Sequence, residues 1–287
     1  MIRMNEPNVS YDQSLDACKD GIDTVHPLHP KLTSAEAALK QNAVGYRNLA
    51  VAGNLYTLRG VSGEDPVVIA GLRKSDLVSL YETYFRGKNK PGRSLYDSLL
   101  TAANEKCPYC GGIGRPRNLD HFMPKAKFPQ FSVLPVNLIP SCRDCNMDGK
   151  GRKFLSTADK QIIHPFLEAL HFFDEQWIFA NYHAAVDSDP SYIEYFVSPP
   201  NAWSALDKAR VQQHFVDFDI AKRYSIEASP HLNEIEAQIG ALLKVDKNID
   251  FKEILLHPVI SSAPFANHWK RIMYISLLQY RPVAKVA

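Results

Sequence analysis

CPYCGGIGRPRNLDHFMPKAKFPQFSVLPVNLIPSCRDCN, residues 107–146, decides how this chain is read. Two Cys-x-x-Cys pairs frame it, Cys107/Cys110 and Cys142/Cys145, with thirty-one residues between them. Four thiolates arranged in two pairs satisfy a tetrahedral Zn²⁺ and leave no open position, so such an ion is structural. The same spacing also fits an iron–sulfur cluster. A redox Cys-x-x-Cys explains only half of the pattern. The fifth cysteine, Cys18, reads as a small buried residue.

An ion on the four cysteines ties residue 107 to residue 145 and compacts everything between. Inside or at the edge of that loop stand Asp120, His121, Asn137 and Asn146. A neutral imidazole near pH 7 is a suitable base for activating water. A carboxylate and an amide carbonyl are oxygen ligands for a hard cation, which stabilises charge on a phosphate. Taken singly, Asn137 also reads as a turn residue and Asn146 as a helix cap.

Charge gathers at the same place. Residues 106–154 carry nine Lys/Arg against three acids, in a chain whose net charge is only +2. A basic segment in an otherwise mildly acidic chain is a footprint for a polyanion. Lys125, Lys127, Lys150 and Arg152 are the candidate phosphate contacts.

LDHFMPK, NLIPSCRDCN and GKGRK together resemble the ββα-metal core of HNH endonucleases, in the subgroup with Cys-x-x-Cys pairs on both sides of the motif. His121 matches the first motif histidine. Asn137, sixteen residues on, matches the middle asparagine. Asn146, nine further, stands where a histidine is common, which makes an H-N-N variant. The resemblance implies DNA hydrolysis with His121 as general base and one Mg²⁺ or Mn²⁺ on Asp120 and Asn146. It implies that Asn137 orients His121, and that the products carry 5′-phosphate and 3′-hydroxyl ends. A looser resemblance, in WSALDKARVQQHFVDFDIAKRY, is to bacterial anti-phage defence HNH effectors, Septu-like and retron-linked. It implies a partner ATPase or sensor in a defence complex. The alternative reading is a zinc-stapled adaptor, binding nucleic acid or protein without catalysis.

The rest of the chain is read as an α+β protein in three parts. Residues 1–104 form a helical N-terminal region, 105–160 the zinc-stapled core, and 161–287 an α+β, mostly helical region. HPLHP at 26–30 reads as a loop, and a helix opens at Thr33 or Ser34 with Glu36 completing a capping box. Leu77, Leu80, Tyr81 and Tyr84 fall on one helical stripe, and Leu95, Leu99 and Ala103 on the next. LDHF reads as a short strand, and Asn146 as the opening of a short helix. WIFANYHAAV and YIEYFVSP read as strands. Residues 204–224 read as one helix and LNEIEAQIGALLK as another. His164 and His214 have no carboxylate beside them in sequence and read as structural or partner-facing. No P-loop occurs, and no apolar run of eighteen residues or signal-peptide core appears, which points to a cytoplasmic protein without a membrane span.

Overall fold

The structure, a computed structural model, describes residues 1–150 and 157–280. Its contacts divide the chain into two compact units, Ile2–Ala169 and Leu170–Ala287, the second also taking Met1. The N-terminal helices and the cysteine-framed centre therefore fall in one unit.

The first unit opens with helix α1, Tyr11–Asp20. Its start is a capping box: Ser10 Oγ accepts from the Gln13 N–H at 3.1 Å, and Gln13 Oε1 accepts from the Ser10 N–H at 2.8 Å. Helix α2, Leu28–Val51, begins five residues before the expected start. Pro30 sits in its first turn, where a missing N–H costs nothing. The Thr33 and Ser34 hydroxyls do not cap; they donate back to the His29 and Pro30 carbonyls at 3.1 and 3.0 Å. Strands β1 (Val67–Ile69) and β2 (Leu72–Arg73) form a tight hairpin. Its two turn residues, Ala70 and Gly71, are left-handed at φ 45° and 81°.

Helix α3, Lys74–Ser79, runs on into a π-type segment, Leu80–Phe85, closed by the Arg86 N–H on the Tyr81 carbonyl at 2.8 Å. The wider winding turns Phe85, with no exposed surface, into the core, while the expected Tyr84 is only part-buried. Helix α4, Gly92–Thr101, delivers the chain to the first cysteine pair. Strand β3 (Asn118–His121) pairs antiparallel with β4 (Leu138–Ser141), matching Asn118 with Ser141 and His121 with Leu138. A second π-type segment, Asp144–Lys150, follows β4 directly. Asn146 lies inside it, its N–H on the Cys142 carbonyl at 3.0 Å.

One core serves helices and strands alike. Leu15, Leu32, Leu39, Leu77 and Tyr96 belong to the same buried cluster as Leu119, Val133 and Leu138. A short, turn-rich segment holds too little apolar surface for a core of its own and borrows that of the helices.

In the second unit a short helix, α5 (His171–Asp174), precedes strands β5 (Ile178–His183) and β6 (Tyr192–Val197), paired antiparallel over their whole length. Helix α6, Ala205–Asp217, is capped by Ser204. The single helix expected over 204–224 is broken at Asp219, which is left-handed at φ 49°. Helix α7, Ile220–Val245, then runs unbroken through Pro230 and joins what read as two helices. An internal proline costs a helix about 3 kcal/mol. The buried stripe of Ile220, Tyr224, Ala228, Leu232, Ile235 and Ile239 offsets it. Helices α8 (His257–Ser261) and α9 (Trp269–Leu277) complete the unit. Buried Asn267 ties them to the strands, its Oδ1 accepting from the Trp177 and Ile178 N–H groups at 2.8 and 2.9 Å. The architecture is α+β, and no described helix is long and apolar enough to cross a membrane.

Candidate active site and metal centre

The four paired cysteines meet. Cys107, Cys110, Cys142 and Cys145 are all buried and free of disulfides, and their sulfurs lie within 4.8 Å of one another. Two local devices bring the first pair inward. Gly111 and Gly112 take left-handed φ of 67° and 89°, turning the chain so that the Gly112 N–H bonds the Cys107 carbonyl at 2.9 Å. The Gly114 N–H then reaches Cys110 Sγ at 3.3 Å. The second pair is set by the end of β4 and the first turn of the following segment.

The donor set fits zinc. Tetrahedral bonds of ~2.3 Å place sulfurs about 3.8 Å apart, within the 4.8 Å that bounds the four here. Crowding divides the four thiols: Cys110 and Cys142 are held below the ordinary thiol range by their sulfur neighbours, Cys107 first. Cys107 and Cys145 are pushed above it. Buried thiols so crowded cannot all ionise unless a cation sits among them, and a Zn²⁺ ion held there would supply that charge.

His121 ends β3 and is 5% exposed. Its Nε2 lies 2.8 Å from the Ser132 carbonyl. A carbonyl only accepts, so Nε2 carries the hydrogen and Nδ1 holds the free lone pair. The Tyr81 ring meets the imidazole edge-on at 4.3 Å, and the Tyr81 hydroxyl donates to the Leu119 carbonyl at 3.0 Å. Burial first, then the charges of Lys125, Lys150 and Arg86, bring the His121 pKa down to about 3, against a bond to Ser132 that raises it. The imidazole is therefore neutral at physiological pH.

Asn137 is wholly buried and uses its whole amide. Oδ1 accepts from the Met123 N–H at 2.7 Å and from the Tyr46 hydroxyl at 3.1 Å. Nδ2 donates to the Met123 and Phe131 carbonyls at 3.3 and 3.0 Å. The amide thus clamps both ends of the loop between β3 and β4, one residue from the Ser132 carbonyl that holds His121. His164, also wholly buried, supports it from behind. The Phe166 N–H donates to His164 Nδ1 at 3.2 Å, so Nε2 carries the hydrogen and donates to the Tyr46 oxygen at 3.2 Å.

Asp120 leaves β3 on the face opposite His121, as strand alternation requires. Its buried carboxylate is engaged by Lys150, with Nζ 3.1 Å from Oδ1 and 2.9 Å from Oδ2. Lys150 Nζ also donates to the His121 main-chain carbonyl. Burial pushes the Asp120 carboxyl above its ordinary range, and Lys150 pulls it back. Asn146 Nδ2 donates to Asn118 Oδ1 at 3.0 Å. Asn118 shares the Asp120 face two residues away, a step of ~6.8 Å. In this conformation the two side chains assigned to a divalent ion have other partners, so the ligand set does not fit that ion as it stands.

Lys150 is thus buried on a carboxylate rather than presented to solvent. Lys125 is part-exposed, pairs with Glu82 at 3.2 Å and lies 5.4 Å from the Tyr81 ring centre. Lys127 is exposed. Arg152 lies outside the described residues. Tyr46, Tyr81, Arg86 and Ser132 complete the surroundings; of these only Tyr81 stood in a local pattern, as a residue of a helical stripe. A cavity of about 480 Å³ lies between residues 2–9 and the end of α4. It touches Lys106 but reaches neither Asp120 nor His121.

Fold and site together define an α+β protein in which an antiparallel strand pair runs into a helical segment, with a four-cysteine centre at one end and a buried Asp-His pair at the other. No model of a known protein family matches the chain, and no solved structure does. The chain is 38% identical over 287 residues to protein ea31 of Escherichia phage lambda, covering 96% of each, and it belongs to that protein's family. A stretch of 76 residues, 25% of this chain and 28% of the other, is 34% identical to Septu protein PtuB of Bacillus thuringiensis.

Proposed function

We propose that the chain is an HNH-type endonuclease that hydrolyses phosphodiester bonds in DNA, with a structural zinc on its four cysteines and His121 as general base. The observation that carries the reading is the His121 imidazole: buried, neutral, fixed in one tautomer by Ser132, and under the positive field of Lys125, Lys150 and Arg86. The strand–strand–helix order around the Asp-His pair supports it, as does the basic segment.

Nδ1 would take a proton from water as the water oxygen attacks phosphorus. The P–O bond to the 3′ oxygen breaks, that oxygen takes a proton from solvent water, and the ends left are a 5′-phosphate and a 3′-hydroxyl. A base with a pKa near 3 is weak in the free protein. Two of the cations that depress it, Lys125 and Arg86, reach solvent and attract a phosphate, and the arriving anion offsets them and raises the basicity of His121. Zinc would hold the loop and take no part in the reaction. The partial likeness to a Septu protein favours a role in anti-phage defence alongside a partner ATPase or sensor.

A second reading, a zinc-stapled binding module without catalysis, is favoured by the engagement of Asp120 by Lys150. Plasmid nicking by the full chain with Mg²⁺ or Mn²⁺ separates the two. Cleavage by the wild type and none by His121→Ala supports the nuclease. Equal behaviour of the two proteins, at concentrations where both bind the plasmid, supports the binding module.

A further inference from the structure

We infer that the Asp120 carboxylate and the His121 main-chain carbonyl form a hard-cation site whose resident cation is the Lys150 ammonium, and that Mg²⁺ or Mn²⁺ loads there only by displacing it. The role of the ion in cleavage rests on the nuclease reading; the exchange of cations does not.

Lysine is among the residues least often fully buried, and where it is buried it is paired. Lys150 is 5% exposed, and its Nζ reaches three oxygens, both of Asp120 and the carbonyl of His121. A carboxylate and a main-chain carbonyl are what Mg²⁺ and Mn²⁺ prefer as ligands. The ammonium therefore marks a place already shaped for a cation. It also closes that place. A divalent ion bound ~2.1 Å from the same oxygens would stand against a positive charge in a desolvated setting, so the two exclude one another.

The chain permits the exchange. Lys150 is the last residue of the segment Asp144–Lys150, five residues beyond Cys145, which anchors the other end at the metal centre. Release of Lys150 needs movement only beyond that anchor. It would return a mobile ammonium to the neighbourhood of the bound ion, where a phosphate can accept it. The two roles that the sequence gives to Asp120 and Lys150 then alternate in time.

The test is Mn²⁺ binding to the zinc-loaded full chain, followed by the electron paramagnetic resonance of free Mn²⁺. Lys150→Met is expected to bind one Mn²⁺ at least about tenfold more tightly than wild type, and Asp120→Asn added to it should abolish that site. Equal affinity in wild type and Lys150→Met overturns the displacement, while the nuclease reading stands or falls on His121→Ala. Failure of both proteins to bind Mn²⁺ at millimolar concentration overturns the cation site itself. Wild type supplies a second measurement that does not depend on a variant folding. The Lys150 Nζ–H nuclear magnetic resonance signal should be protected without Mg²⁺ and lost on saturation. Its persistence in saturating Mg²⁺ overturns the proposal.

Discussion

Asn137→Ala tests the clamp on which the geometry of His121 depends. The substitution removes four hydrogen bonds from a wholly buried position. The Tyr46 hydroxyl still accepts from His164, but its own O–H loses its acceptor. The Met123 N–H loses the acceptor of its 2.7 Å bond, and a buried orphan donor costs about 1–3 kcal/mol. With two carbonyls also released, we expect a loss of about 3 kcal/mol. For a unit of this size that lowers the midpoint by about 6–12 °C. The assay can watch each unit separately. All three tryptophans, Trp177, Trp203 and Trp269, lie in the second unit, and the four clustered cysteines lie in the first. Zinc release, read with a chromophoric chelator, should shift to lower temperature, with tryptophan fluorescence as internal comparison. Tyr46→Phe alone should cost about 1 kcal/mol, and the pair should lose less than the sum, because they share a bond. A zinc-release midpoint within ~2 °C of wild type for Asn137→Ala would refute the argument.

Three further outcomes follow from the same structure. Cys107→Ser, or a chelator strong enough to strip a four-thiolate site, should remove zinc and unfold the first unit, seen as loss of protease resistance over residues 2–169; a zinc-free protein of unchanged resistance contradicts this. His121 has a folded pKa of about 3, below the ordinary histidine value of 6.5. As pH falls from 6.5 the unfolded chain takes up a proton that the folded one refuses, so this stabilisation is present above pH 6.5 and is lost towards pH 3. Asp120, raised by burial, acts in the opposite sense. Urea unfolding of wild type minus His121→Gln should therefore show the histidine slope, at most ~1.4 kcal/mol per pH unit, between pH 6 and 4; parallel curves would rule it out. Asp219→Gly should stabilise the second unit by up to ~1 kcal/mol, since glycine takes φ 49° without strain, and a lower tryptophan-detected midpoint would count against it.

What the sequence made legible was local. The cysteine pairs and their closing turn lie within short spans, and their spacing alone sufficed to bring the four sulfurs into one cluster. The strands at residues 118–121, 178–183 and 192–197 carried their own apolar and aromatic signal. The capping box of Ser10 and Gln13 is equally local, yet the helix it opens stood in no expectation drawn from the sequence. Long-range partnerships were not legible. Tyr46 meets Asn137 from ninety-one residues away, and Lys150 meets Asp120 from thirty. Nor does a propensity argument distinguish π-winding at Leu80–Phe85 from an ordinary helix, because tertiary packing of Phe85 decides it. Pro230 and Asp219 show the same limit. A breaker residue was overruled by a buried stripe, and a break appeared where an apolar pattern ran on.

The apolar cluster that unites Leu15, Leu39 and Tyr96 with Leu119 and Leu138 has an evolutionary consequence. A recombination event that copied only the cysteine-to-cysteine stretch into another gene would transfer a motif stripped of the side chains that bury it. Its inheritors would have to gain replacement helices at the same moment. Relatives that retain the motif should therefore keep a helical layer ahead of it even where the letters of that layer have diverged beyond recognition.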